Sequence, residues 1–200
     1  MTQNTMTKVL AAALLVVLPT LAEAGPPLIC HPFKTPDARL LTWGTGEGWN
    51  TPDTRYDAQR LTADLLALLT PDAPVLSRME NMRRAAIYAG RDAKIANQLL
   101  QAVIARASGS GATAIALFDA GYLIETYKQA GHLHKGPPPT QDGYGMVVRA
   151  ISTTTAGRPE MELAASLMTR GEQAQAHLSR ARAASASTPL LAANIDTLWH

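Results

Sequence analysis

From Thr54 onward, apolar side chains recur every three or four positions, and turn-forming residues separate the runs. That periodicity predicts successive amphipathic helices. Leu61, Leu65 and Leu68 form a first stripe, stopped by Pro71. Asp72 is the expected cap of a second helix that carries Val75, Met79, Met82, Ala86 and Ala89 and ends around Gly90. Ile95, Leu99 and Val103 mark a third helix, which closes at Ser108-Gly-Ser-Gly111. Ala114, Leu117, Gly121 and Ile124, widened by Phe118 and Tyr122, mark a fourth that runs to Gly131. The prolines 137 to 139 require a loop between His132 and Gly143. Tyr144, Val147, Val148 and Ile151 predict a short fifth helix, weakened by the threonines that begin at Thr153. No stretch alternates with period two for long enough to make a strand.

The last fifty residues place small side chains at offsets that resemble the tetratricopeptide repeat. Counting from Ala164, Gly171 follows after seven residues, Ala176 after twelve, Ala183 after nineteen and Pro189 after twenty-five. Two antiparallel helices approach closely only where small side chains sit at the crossing. Arg180 departs from the pattern, since a large apolar residue is usual there. Upstream, Ala86, Ala93 and Ala105 keep three of the offsets, and Gln98 breaks one.

The first 53 residues lack this periodicity. Lys8 precedes the apolar run Val9 to Leu18, Pro19 breaks it, and Ala22-Glu23-Ala24 supplies small residues for a peptidase. Residues 1–24 therefore have the form of an export signal, with cleavage expected before Gly25. A ten-residue apolar run is about half of what crosses a bilayer, so no stable membrane insertion is expected after cleavage. Ile29 before Cys30 argues against lipid attachment. Residues 25–54 form a segment rich in Pro, Gly and Trp, expected to be an extended arm pinned by Leu28, Ile29 and Phe33. Residues 55–200 form the helical domain.

With 46% apolar and 17% charged residues in 200, the chain has enough apolar material for one domain and is unlike a disordered chain. A net charge of +2, with Arg83-Arg84 among the longest basic runs, argues against nucleic acid as a partner. Thirty of the 35 alanines follow residue 24, which favours closely packed helices.

The chemistry-bearing residues are few. Cys30, the one cysteine, adjoins His31, and the pair could make a reactive thiolate or two ligands of a soft metal. Adjacent residues on an extended chain face opposite ways, so the plainer expectation is a small buried thiol beside a surface or capping histidine. Phe33, Trp43, Trp49 and Tyr56 are four of the ten aromatic residues in 24 positions and are the candidate binding residues. The glycines between Trp43 and Trp49 lack the Gly-Lys-Ser/Thr ending of a phosphate loop, so a turn that folds both rings onto the helices is expected. Glu80 with Arg83 and Arg84 has the spacing of a surface ion pair. Asp119 or Glu125 is expected to be partly buried and paired with an arginine. His132 and His134 are spaced to face the same way, but no third metal ligand is identifiable. His177 and His200 suggest no site.

A wider resemblance rests on Gly25-Pro-Pro-Leu-Ile-Cys-His-Pro32, Trp43-Gly44, Met79-Glu-Asn-Met-Arg-Arg-Ala85 and Phe118-Asp-Ala-Gly-Tyr-Leu-Ile-Glu125. These look like a group of exported bacterial helical-repeat proteins without an assigned activity, and the resemblance implies no catalytic or cofactor residue. The expectation is an all-α array of stacked helical hairpins behind an extended N-terminal arm, periplasmic or secreted. Such an array would bind a protein or peptide partner, with no cofactor, no metal and no chemistry of its own. The alternative is an exported thiol-dependent redox protein or enzyme that uses Cys30 and His31.

Overall fold

The computed structural model describes residues 27–198; the expected export signal, its cleavage point and His200 lie outside the described residues. The described residues form nine α-helices and one 3₁₀ turn, Ala58–Arg60, without a strand. The helices are α1 (Pro27–Cys30), α2 (Leu61–Leu68), α3 (Val75–Ala89), α4 (Ala93–Ala107), α5 (Ala114–Gln129), α6 (Gly143–Thr153), α7 (Arg158–Ser166), α8 (Gly171–Ser185) and α9 (Pro189–Leu198). Helices adjacent in sequence pack on one another, α4 on α5, α5 on α6 and α7 on α8, as an array of helical hairpins. None of these helices is long and apolar enough to cross a membrane.

Local chemistry sets most boundaries. Asp92, Thr113 and Asp142 cap α4, α5 and α6, each accepting from main-chain N–H groups of the first turn. Gly157 and Gly171 precede or open α7 and α8 with φ of 66° and 61°, a left-handed backbone that a side chain would strain. Pro74, not Asp72, occupies the cap position of α3, and no side chain caps that end.

Three further expectations are corrected. The segment Pro27–Cys30 is one helical turn where an extended chain was expected. Pro27 stands first in the turn, where its fixed φ suits a helix and its missing N–H costs nothing. The Leu28 amide donates to Gln129 Oε1, and Leu28 and Ile29 are buried. In α8, Ala176 and Ala183 are exposed, and the buried positions are His177, Leu178 and Ala181. The closest small-residue crossing lies elsewhere, between α5 and α6, where a Cβ on Gly143 would stand 2.5 Å from the Gly121 carbonyl oxygen.

The third correction concerns α3. Fourteen of its fifteen residues are buried, because α1, α2, α4, α5 and α7 all pack against it. Its ion pairs are consequently interior ones. The Glu80 and Arg83 side chains are each 1% exposed, so the expected surface pair is a buried network.

Candidate functional site

The polar residues of α3 read the main chain of the arm. Glu80 accepts from Arg83 Nε and Nη2 at 2.8 and 2.9 Å, from Arg84 Nε at 2.7 Å and from the Phe33 amide at 3.0 Å. Arg83 Nη1 donates to the Ile29 and Trp49 carbonyls, and Arg84 Nη1 donates to that of Leu41. Asn81 accepts from the Leu41 amide and donates to the Arg39 carbonyl. Tyr88 donates to the Thr42 carbonyl and accepts from the Asp53 amide. At the other end of the chain, Asn194 of α9 brackets Lys34 with two further bonds. An extended segment without its own ladder thus has its buried main-chain groups satisfied by side chains. The two guanidinium groups hold the Glu80 carboxyl below its ordinary range even though burial opposes ionisation.

These bonds place the residues singled out by sequence. Phe33 is buried in the core. Trp43 meets Tyr88 edge to face at 5.6 Å and lies under the guanidinium groups of Arg83 and Arg84 at 5.2 and 5.4 Å. Tyr56 meets Tyr88 at a tilt, with ring centroids 4.5 Å apart, and donates to Asp64 at 2.8 Å. Trp49 is half-buried against the core. The turn between the tryptophans closes through the Gly44 amide and the Thr51 carbonyl. Trp43, Trp49 and Tyr56 therefore fold back onto the helices, Trp43 and Tyr56 against the unanticipated Tyr88. Cys30 is half-buried, and desolvation pushes its thiol up against the pull of Arg83. That environment favours the unreactive thiol over the thiolate. His31 is also half-buried, and its Nδ1 finds no hydrogen-bond partner among the described residues.

A separate recess of about 450 Å³ opens between α4, the end of α5 and the proline loop. Ala93, Ala96, Asn97, Leu100 and Gln101 form its α4 wall, and Pro137, Pro138 and Pro139 stand opposite. The loop is held in place at both ends. Gly90, lacking a Cβ, lets the Leu133 carbonyl approach α3, and Lys128 of α5 donates to the Gln141 carbonyl at 2.7 Å. Prolines restrict the wall to extended conformations.

Tyr127 and His134 are among the residues that line the recess, with ring centroids 4.3 Å apart. The Tyr127 hydroxyl donates to the Ala96 carbonyl at 3.2 Å, which fixes the ring. Burial lowers the His134 pKa, opposed by a main-chain hydrogen bond to Ala86 and aided by His132. The imidazole is therefore neutral at pH 7. Nε2 is buried and has no hydrogen-bond partner among the described residues. None of the residues lining the recess is charged, and the amides of Asn97, Gln101 and Gln141 supply its longer polar groups. A wider hollow of about 570 Å³ beside Pro71 and Thr153 has neither an aromatic ring nor an unpartnered buried polar atom.

Two buried clusters complete the polar interior. Asp119 pairs with Arg78 at 2.7 Å, as expected for a carboxylate on this helix, yet burial outweighs the arginine and raises its pKa to about 6. His177, which sequence inspection passed over, contacts the Tyr144 hydroxyl at 2.8 Å and Glu162 at 2.5 Å. Arg180 holds the other Glu162 oxygen at 2.9 Å, so α6, α7 and α8 are joined by one cluster. The Ala-rich surroundings of His177 concealed this role; its spacing from Arg180, one turn away, was the available signal. His132 is exposed, and no group of three potential metal ligands occurs among the described residues.

Comparison of the chain with protein-family models, curated proteins and solved structures returns no match.

Proposed function

We propose that this is an exported helical-repeat module that binds a protein or peptide partner and carries out no chemistry of its own. One observation carries the proposal: a preformed recess whose walls combine rigid apolar surface with uncharged amides. Peptide main chain consists of alternating amide donors and acceptors, and Asn or Gln can serve either. Asn97 and Gln101 are exposed one turn apart on α4, with Gln141 across the recess. An extended segment laid along α4 would meet these amides in succession, with its side chains against Leu100 and the prolines.

The arm supports the same reading by precedent within the molecule. Side chains of α3 already satisfy an extended main chain through carbonyl and amide contacts. Helix faces of this array are thus suited to holding a segment that forms no secondary structure. The raised Cys30 thiol offers no support for thiol chemistry.

The test is recovery of partners from the exported fraction with the parent and with an Asn97→Ala/Gln101→Ala variant. Both positions are exposed, so stability should change by no more than about 0.5 kcal/mol. Loss of a specific partner from a folded variant is the expected result. Equal recovery with both proteins would remove α4 from the binding surface.

A further inference from the structure

We infer that the recess takes the C-terminal end of a peptide, with uncharged residues between α4 and the prolines and the terminal carboxylate at the rim, beside Lys94 and Lys135. The inference rests on the peptide-binding function proposed above and names the end of the partner chain that this site selects.

The recess and its rim differ in charge. No lining residue is charged, so a carboxylate or ammonium group carried inside would lose water without gaining a countercharge. The part of the ligand that lies inside is therefore uncharged. At the start of α4 the surroundings change. A Cβ on Gly90 would meet the Leu133 carbonyl, and one on Gly136 would stand 3.7 Å from the Ala93 Cβ, so residues 90–94 and 133–136 run side by side. Arg91, Lys94 and Lys135 are exposed on these two stretches. The ion pairs among the described residues use none of the three. Asp92 is the one acid on the two stretches, and its carboxylate is turned onto the Lys94 and Ile95 amides as the cap of α4. Three cations against one engaged anion leave this rim positive.

Lys94 also continues the row of polar groups along α4. Successive residues turn by about 100° around a helix, which puts Lys94 within about 20° of Gln101 on the helix circumference, at the edge of the face that lines the recess. Lys94, Asn97 and Gln101 thus succeed one another over about 10 Å, the length of about three extended residues. A segment laid along α4 would offer its main-chain amides to Gln101 and Asn97 and then reach Lys94. There the loop returns to the helix, with Gly136 against Ala93, and closes the path. A chain end fits such a closure better than a chain passing through. Of the two ends, the rim charge selects the carboxylate, which stays in contact with water and so is not desolvated in binding.

The experiment is a calorimetric and NMR titration of the folded chain with three acetylated peptides. Acetyl-Leu-Gln-Leu-Ala has a free C-terminal carboxylate, the second probe is its C-terminal amide, and acetyl-Leu-Glu-Leu-Ala-amide carries the same charge on an internal side chain. The free acid should bind about fivefold or more tightly than either amide and shift resonances of Ala93, Lys94 and Gly136. Its advantage should shrink as salt rises from about 0.02 M to about 0.5 M, since exposed charges are screened. Lys94→Gln/Lys135→Gln should bring the acid down to the affinity of its amide, with a thermal melt verifying the fold. Arg170→Gln/Arg182→Gln removes the same charge from exposed positions at α8 and should preserve the preference.

Equal binding of the acid and its amide would overturn the inference, as would a preference that survives in Lys94→Gln/Lys135→Gln or is lost equally in Arg170→Gln/Arg182→Gln. Binding of the internal-glutamate amide as tightly as the acid would show a general taste for negative charge and overturn the choice of the chain end. If no probe binds, the C-terminal assignment fails; the Asn97/Gln101 partner-recovery test decides the broader function separately.

Discussion

Glu80 is the residue whose loss should do most to detach the arm from α3. Its carboxylate is buried, faces two guanidinium groups and accepts the Phe33 amide. Glu80→Ala leaves Arg83 charged, 1% exposed and without its carboxylate, a type of change that costs about 3–5 kcal/mol. Arg83 would keep its bonds to the Ile29 and Trp49 carbonyls, which holds the estimate to that range rather than above it. Against a typical stability of roughly 5–15 kcal/mol, this is a large fraction. For a domain of this size it corresponds to a fall in Tm of roughly 6–20 °C. Urea denaturation should report the loss, and hydrogen exchange should locate it, with the Phe33 and Leu41 amides losing protection first. The ionised Glu80 has a folded-state pKa below its unfolded value, so its contribution is present above the unfolded pKa, near 4.5, and is lost as pH falls through the lowered folded value. Glu80→Gln should therefore flatten the acid limb of the stability profile. A Glu80→Ala protein within about 0.5 kcal/mol of the parent, with Phe33 protection unchanged, would refute the buried network as the anchor of the arm.

Other outcomes follow from the same packing. Gly121→Ala drives a methyl group into the Gly143 carbonyl and should cost about 1–3 kcal/mol by urea denaturation, because main chain cannot rotate away as a side chain can. The Asp119 carboxyl should titrate in the folded protein with a midpoint near 6 by carbon-detected NMR, and a midpoint below 4 would refute dominant desolvation. Since that folded pKa is raised, the Asp119 contribution to stability is present at low pH and is lost as pH rises through about 6, opposite in sign to that of Glu80. Cys30 should react with a neutral alkylating reagent at pH 8 more slowly in the folded chain than in urea, and equal rates would restore the thiol as a candidate nucleophile. His177→Ala should lower Tm by breaking the contacts to Tyr144 and Glu162, and an unchanged melt would show that cluster to be without structural weight.

The helical domain was legible because amphipathic periodicity is local. The stripes at Leu61, Ile95 and Ala114 fall within α2, α4 and α5, and the triple proline lies in the loop that precedes α6. Partial burial of Asp119 was legible as well, from its apolar neighbours. The Glu80–Arg83–Arg84 spacing was misleading, since residues three and four apart meet on any helix face whether water or protein covers it. The tetratricopeptide offsets misled in a similar way: small residues permit a close crossing but do not state where the partner helix passes. In α8 the buried positions are His177, Leu178 and Ala181, and Ala176 and Ala183 are left in solvent.

The recess was invisible for a further reason. Asn97, Gln101, Tyr127 and His134 belong to a helix, its neighbour and a loop, and no spacing rule relates them. His134 stood out in the sequence only as half of a metal-type pair with His132, not as a lining residue of a recess. By itself, then, the sequence determined the helices, their breaks and the position of the proline loop, because each depends on a few adjacent residues. Tertiary structure alone decided which polar residues lost their water and which rings came to face one another. Burial and contact across more than one turn depend on how the helices stack, and that is a property of the whole chain at once.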